Sequence, residues 1–495
     1  MVRDLARDLR RARFAFHQAM PKAISFFHVP SPRHARRRAG TRHLVAVVTI
    51  AGVSAILTHA VRADDLTPGE PGGKLSLARA EALAIQHQPN VAVAAGQTEA
   101  SEGRVEQARA GYLPQAAITG VYQRTTGNFA PRPGGLPSTA IDPATGMSIV
   151  RATSSWSSQT YNYFNFGASA SQLLYDFGQT NGKWHAAQAS RDAARENERT
   201  VRVQTLFGVR RAYLQARAQA ELLGVAQDTV KNQEKHVNQT QGFVRAGIRP
   251  DIDLATVRTE LANAKVQLVM ANNNLLLARA TLNQSMGIPG TTRYDLGDDD
   301  VAPIDGEDRS IDDLVNQAVK SRPELANLAD QRRAQELTVH ALKGGYGPAL
   351  GATAGATEAG TQVDNMVPNW YVGLSLAWPI LQGGLTRGQV REANGTLRAL
   401  TANEEALLLQ IRIDVETAQL AVMAAKSTIA AAEEALANAR DQLRLAERRY
   451  ETGLGSAIEL GDAQVAATAA AAQEVTARFS LGTARAQLLA ALGVV

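Results

Sequence analysis

The sequence predicts a mostly α-helical protein with a smaller membrane β-sheet part, built from two internal repeats. Three observations lead to this fold class. Two very long proline-free segments carry apolar residues with a seven-residue period, and short segments before them alternate apolar and polar residues. The same landmarks also recur in the same order in both halves of the chain.

The first 63 residues are predicted to be a leader with a signal peptide. They carry 12 Lys and Arg against 2 acidic residues, whereas residues 64–495 carry 40 basic and 45 acidic residues. A basic run at 33–43 precedes an apolar stretch at 44–57, and small residues at 61 and 63 fit a cleavage site. An N-terminal membrane anchor is the alternative, although the stretch is short for a bilayer span. The positive charge belongs to this leader, so it does not indicate a nucleic-acid partner.

The remaining composition excludes several function classes. The chain has no cysteine, which rules out disulfides, thiol catalysis, thiolate metal sites and a lipid-modified N-terminal Cys. The nine His form no H-x-x-x-H pair on a long helix, and nothing resembles a nucleophile with its base. The acidic run at 298–300 is read as a solvated loop rather than a calcium site. We therefore expect no enzyme activity, no metal and no cofactor.

Two repeats are predicted, at 64–288 and 310–495, joined by a linker at 289–309. Gly178 and Gly247 of the first repeat correspond to Gly384 and Gly453 of the second, at an offset of 206. Duplication of a whole unit explains this better than a short-period solenoid.

Each repeat is predicted to contain a helix, two strands, a very long helix and a second shorter helix. The first helix of the first repeat is placed at 75–111. The long helices are placed at 179–246 and 385–452, each about 100 Å in length, and the helices that follow at 251–286 and 457–492. A 4,3,4,3 spacing runs through Ile411, Val415, Ala418 and Val422, and the first repeat has a matching row from Val209 to Val244. This period predicts coiled-coil packing, with two short helices end to end beside each long one.

The strands are predicted at 115–124, 161–173, 349–358 and 369–378. The last, "NWYVGLSLAW", has an apolar face with Trp370 and Trp378 at its ends, as expected of a membrane strand with interfacial aromatic residues. The edge of a soluble sandwich is the alternative. Beyond the leader no apolar stretch is long enough to form a membrane helix, so a membrane-inserted chain would have to use a closed barrel of strands. Four strands cannot close one, whereas three chains would supply 12 strands. Residues 125–157 are read as an exposed loop.

The chain resembles the TolC-like outer membrane efflux proteins. The element order carries the resemblance, together with "QLLYDFGQTNGKW" (172–184), "WPILQGGLTRGQV" (378–390), the "YxTG" turn at 450–453 and "ARAQLLAALG" (484–493). The resemblance covers residues 75–495. It implies a homotrimer in the outer membrane of a Gram-negative bacterium, with a 12-stranded β-barrel continuing into a 12-helix coiled-coil α-barrel in the periplasm.

The resemblance also implies a function and partners. Such a channel exports substrates, in efflux or type I secretion, from an inner-membrane transporter of the RND, ABC or MFS type. A periplasmic adaptor connects the two. Because the chain lacks cysteine, it would belong with the unlipidated members of the family.

The segments "RAGIRPDIDL" (245–254) and "ETGLGSAIEL" (451–460) are the two predicted helix tips. In the resembled family, such tips contact the adaptor and hold the closed aperture. The adaptor-contacting residues would be Gly247, Ile248, Pro250, Gly453, Leu454 and Gly455. The aperture residues would be Asp253, Glu459, Asp462 and Arg249.

The tip carboxylates allow two compatible interpretations. Around a threefold axis, Glu459 and Asp462 would repel their copies or hold cations, which makes a constriction sensitive to ions. Alternatively, Asp253 and both of these residues lie in or near a first helical turn, where a carboxylate is favoured by the helix dipole. The family's second tip has an Arg where this chain has Gly455, and Arg249 is the candidate to replace its charge.

Two other functions fit parts of the pattern. A periplasmic or surface coiled-coil structural protein without a pore would explain the long helices, but it would have no membrane strands. A periplasmic adaptor or binding module would need a lipoyl-like or β-barrel domain, and no such segment is seen.

Overall fold

A computed structural model describes residues 74–126, 139–141, 148–150, 160–289, 294–299 and 301–494. The predicted leader at 1–63 and most of the predicted loop at 125–157 lie outside these residues. All of the described residues belong to one compact unit of the chain.

Helices make up most of the described chain. Their bounds are α1 Leu77–His87, α2 Pro89–Ala110, α3 Gln179–Arg245, α4 Asp251–Met286, α5 Ile311–Ser321, α6 Pro323–Gly344, α7 Leu385–Glu451 and α8 Ala457–Ala491. The two longest, α3 and α7, each contain 67 residues and therefore extend about 100 Å.

The strands form one principal sheet and two small ones. Their bounds are β1 Lys74–Leu75, β2 Gln115–Thr126, β3 Thr139–Ile141, β4 Ser148–Val150, β5 Thr160–Tyr175, β6 Asp295–Leu296, β7 Ala349–Gly360 and β8 Val367–Ala377. The principal sheet has the order β2-β5-β7-β8 with every neighbour antiparallel, while β1 pairs with β6 and β3 with β4. The four long strands overlap the predicted ones, with end points that differ by up to two residues.

The prediction of one continuous helix over 75–111 is wrong. Leu75 belongs to β1, Ser76 caps α1 by accepting a hydrogen bond from the Arg79 amide, and the chain breaks at Gln88 before α2 begins at Pro89. Proline has no amide hydrogen and disfavours helical geometry at the residue before it, so it is accommodated only in the first turn of a new helix. Arg322 and Pro323 break the helical segment of the second half in the same way.

The segment 289–309, predicted as a linker, takes part in the structure. Its strand β6 pairs in parallel with β1, and the side chain of Glu307 forms ion pairs with Lys426 and Arg485. Asp299, from the acidic run predicted to be a solvated loop, accepts a hydrogen bond from the Leu77 amide at the start of α1. These contacts attach the connection between the two halves to the middle of the helical layer.

The seven-residue rows predicted for the long helices lie in the helix interfaces. On α7, Ile411, Val415, Ala418 and Val422 are fully buried and form a core with residues of α5 and α8. On α3, Val209 and Ala216 are fully buried against α1 and α4. Along the half of the layer nearer the tips, α4 packs on α3, α3 on α8, and α8 on α7. This places α4 and α7 at the two outer edges of the layer.

One face of the principal sheet is apolar and uncovered. The register aligns Ile118, Ala168, Ala356 and Trp370 across all four strands. On β8, Trp370, Val372, Leu374 and Leu376 are each at least 69% exposed. The opposite face carries small and polar residues, such as Thr119, Ser169 and Ser375.

None of the described helices combines the length and hydrophobicity that a membrane-spanning helix needs.

Candidate gate at the paired helix tips

Both helix tips close with the same backbone motif. At the first tip, the Gly247 amide donates to the Val244 carbonyl and the Ile248 amide to the Phe243 carbonyl. At the second tip, Gly453 and Leu454 make the equivalent bonds to Tyr450 and Arg449. Both glycines have a positive φ, +67° and +80°, which the Schellman motif requires at this position. Each motif leaves the next side chain, Ile248 or Leu454, pointing outward, 64% and 78% exposed.

Arg249 joins the two tips within one chain. Its Nη2 donates to the carbonyl oxygen of Gly455 at 2.6 Å, and its guanidinium carbon lies 4.7 Å from the centre of the Tyr450 ring. The side chain is largely buried, and its Nη1 lies 3.8 Å from Asp253. A planar guanidinium can satisfy a carbonyl, an aromatic face and a carboxylate at once, which a lysine ammonium does less well.

Below this contact, a buried hydroxyl pair connects the long helices. Thr240 and Tyr450 are almost fully buried, and their hydroxyl oxygens are 2.9 Å apart. The Tyr450 ring also packs against Phe243, with ring centres separated by 6.1 Å. Because a buried hydroxyl is costly without a partner, this pair fixes the register of α3 against α7 near the tips.

Glu459 takes part in the local structure of the second tip. Its amide donates to the Oγ of Ser456, the N-cap of α8. Its carboxylate lies 3.1 Å from Nε of Arg449, and both side chains are substantially exposed. This geometry is that of a helix cap with a surface ion pair.

Asp462 lies beside a different carboxylate. It is exposed on α8 and faces Glu260 of α4, and burial together with the nearby Asp462 raises the pKa of Glu260. Gly461 allows the Glu260 side chain to lie close to α8, since a Cβ atom at position 461 would be only 2.5 Å from Oε1 of Glu260.

The structure therefore divides the four predicted aperture residues. Arg249 and Asp253 meet at the junction of the tips, Glu459 pairs with Arg449 at the exposed surface of the second tip, and Asp462 lies near Glu260.

The sequence predicts no functional role for Arg449, Thr240 or Glu260. Thr240 lies in the seven-residue row from Val209 to Val244, and this position predicts burial. Glu260 carried no local signal, because its neighbour Asp462 is two hundred residues away in sequence.

The two tryptophans of the predicted membrane strand occupy its opposite ends. Trp370 lies within β8 on the apolar face and is 76% exposed. Trp378 follows the last residue of β8, and its indole nitrogen donates to the Tyr346 carbonyl at 3.1 Å. An amphipathic ring of this kind is suited to a membrane–water boundary.

Comparison with known proteins identifies the family. A sequence model described as "outer membrane efflux protein" matches residues 82–288 and 314–494. The chain belongs to the outer membrane efflux protein family.

Two curated members illustrate the relationship. The outer membrane efflux protein BepC of Brucella suis is 24% identical over 340 residues, covering 66% of this chain and 72% of BepC. Protein CyaE of Bordetella pertussis is 25% identical over 443 residues, covering 86% of this chain and 85% of CyaE.

The fold matches solved channel structures. A crystal structure of CusC superimposes with a TM-score of 0.71 at 17% identity, covering 86% of this chain and 95% of CusC. Family and fold neighbours are channels rather than enzymes. This efflux protein is located in the outer membrane and extends into the periplasm. It is the outer-membrane component of an efflux system.

Proposed function

We propose that three copies of this chain assemble into one duct, a 12-stranded β-barrel continued by a 12-helix barrel. We further propose that the paired tips form its periplasmic gate. The observation that carries the assembly is the principal sheet, which has an uncovered apolar face and two long edge strands.

The strand directions favour closure by further copies of the same chain. In the described sheet, β2 and β8 are the edges, and a lipid-exposed edge would leave backbone groups without partners. Because neighbouring strands alternate in direction, β8 of one copy is antiparallel to β2 of the next if the sheet continues. Three copies supply the even strand number and the size that outer-membrane barrels have.

The helical layer supports the same assembly. The edge helices α4 and α7 both carry exposed apolar residues: Val266, Val269 and Leu276 on α4, and Leu409, Ile413, Leu420 and Met423 on α7. Rows of this kind on a helix mark a surface that another helix covers. Cyclic repetition of a head-to-tail contact between α4 and α7 closes a ring.

The two halves of the chain act as repeats in this proposal. Support comes from the equal lengths of α3 and α7 and from the identical closing motifs of the two tips. Each half then contributes two strands and one long helix with its shorter partners.

The tips are suited to a gate that meets an adaptor. Ile248 and Leu454 project from the two tips and offer exposed apolar contacts to a periplasmic adaptor protein. Pro250, at the N-cap of α4, stiffens the first tip. An inner-membrane transporter of the RND, ABC or MFS type would deliver the substrate through that adaptor.

The carboxylates would control passage. Glu459 and Asp462 are both exposed on α8, so threefold repetition would gather six carboxylates around the aperture. Like charges at close range either repel or hold cations between them.

Single-channel recording in planar bilayers tests this function. The purified protein is expected to conduct ions and to be blocked by divalent cations. The double variant Glu459→Ala/Asp462→Ala should conduct more or lose the block, whereas Glu433→Ala, an exposed carboxylate on α7, should behave as the wild type. Unchanged conductance and unchanged block in the double variant would remove both residues from the gate.

A further inference from the structure

A cleft with a largely apolar wall and a few polar side chains opens between α3, α4 and α8, about midway between the tips and the middle of the layer. Its volume is about 570 Å³, within the usual range for small-molecule sites. Leu222, Val225 and Met270 contribute apolar wall, and Glu260, Gln233 and Gln464 contribute polar groups.

Two side-chain carbonyl groups in this cleft lack a donor. Gln233 and Gln464 are 5% and 4% exposed, and the Oε1 atom of each accepts no hydrogen bond within the described part of the chain. A buried acceptor without a donor destabilises a protein, because it has lost its hydrogen bonds to water. Both acceptors can therefore receive hydrogen bonds from donors of a molecule that enters the cleft.

Within the part of the chain that the structure describes, one charged side chain lines the cleft, the carboxylate of Glu260. Among the described residues, Glu260 forms no ion pair and no hydrogen bond, and the side chains that line the cleft include no Lys, Arg or His. Asp462 of α8, whose charge acts on Glu260, has the same sign. The electrostatic field in the cleft therefore favours a cation.

The second half of the chain shows that these polar residues are not needed for helix packing. At the offset of 206, the counterparts of Gln233, Glu260 and Asn263 are all alanines, at 439, 466 and 469. Ala439 is buried in the equivalent seam of α7, where it packs without a polar partner. The polar set is confined to the cleft, and a packing role does not account for it.

We propose that this cleft binds an organic cation, an ammonium group attached to an apolar body. The ammonium donates to the carboxylate of Glu260 and to the side-chain carbonyls of Gln233 and Gln464. The apolar body lies against Leu222, Val225 and Met270. A metal ion fits less well, because no group of three or more His, Asp or Glu side chains suited to a metal occurs in the described ranges.

The site does not depend on the proposed assembly or gate, because α3, α4 and α8 all belong to one chain. Its test is therefore a binding measurement rather than a transport assay. The probe is 1-naphthylmethylammonium, which is fluorescent, and its matched neutral analogue is 1-naphthalenemethanol.

Fluorescence anisotropy of the probe with the purified full chain in nanodiscs gives the affinity. The ammonium should bind, and Glu260→Gln should weaken it at least about tenfold, because a charged hydrogen bond is lost. The matched control is Glu433→Gln, which removes an exposed carboxylate of α7 outside the cleft. Gln233→Ala, which copies the residue of the second half, should also weaken binding and provides a second variant if the first misfolds.

Three results would overturn the assignment. The first is equal binding of the neutral alcohol, and the second is wild-type affinity in both cleft variants. The third is displacement of the probe by millimolar Mg²⁺ at constant ionic strength, which would make the cleft a metal site.

Discussion

Arg249 is the side chain through which the first tip reaches the second. It occupies a turn between α3 and α4, yet its guanidinium is largely buried between the Tyr450 ring and the Gly455 carbonyl. The second tip has glycine at 455, and a Cβ atom there would lie 3.0 Å from the Tyr450 amide nitrogen. A residue with a side chain would crowd this position, so the cation that links the tips comes from the other side.

Arg249→Ala should loosen the paired tips. The variant loses a charged hydrogen bond worth about 1.5–3 kcal/mol and leaves the Gly455 carbonyl without that donor. We expect a higher single-channel conductance in planar bilayers. The control is Arg245→Ala, which removes the same charge from an exposed position in the last turn of α3. Equal conductance in the two variants would show that Arg249 does not hold the tips together.

At the scale of elements, the long helices were predictable because their signal repeats many times. Burial of the row from Ile411 to Val422 follows from spacing alone, since a seven-residue period places these residues on one side of a helix. The apolar face of β8 was predictable for a similar reason, because apolar residues alternate with small or polar residues along this strand. The helix bounds at the tips were predicted within one residue, because Gly and Pro terminate helices locally.

Other features of the structure could not be predicted from local sequence patterns. Pro89 lies inside an otherwise helical pattern, and its compatibility with a first turn concealed the break after His87. Glu260 of α4 lies against Gly461 and near Asp462 of α8, and these two helices are far apart in sequence. No local sequence pattern therefore predicts the contact. In the site, the position of Arg249 was identifiable from sequence, but its partners were not.

The edge helices of the layer give a prediction at this scale. Val269 is 70% exposed on α4, and the proposed assembly covers it with α7 of the neighbouring copy. Val269→Glu should prevent trimer formation, because an unpaired charge in an interface costs about 3–5 kcal/mol. Light scattering after size-exclusion chromatography measures the oligomeric state. Val363→Glu, at an exposed position between β7 and β8, should remain trimeric, and a trimeric Val269→Glu variant would argue against this interface.

At the scale of the whole molecule, the sheet and the helical layer lead to the same requirement. The sheet needs partners at β2 and β8, and the layer needs partners at α4 and α7. All four strands of the sheet continue into helices at the same end, so closing the sheet also closes the layer. A single cyclic operation satisfies both, which is why one assembly accounts for the uncovered apolar surfaces of both parts.

The most direct test is the symmetry of the particle, determined by electron cryomicroscopy of the full chain in lipid nanodiscs. The account predicts a threefold hollow cylinder in which β8 of each copy lies antiparallel to β2 of the next, with 12 strands above 12 helices. A monomer, or a particle with any other symmetry, would contradict it.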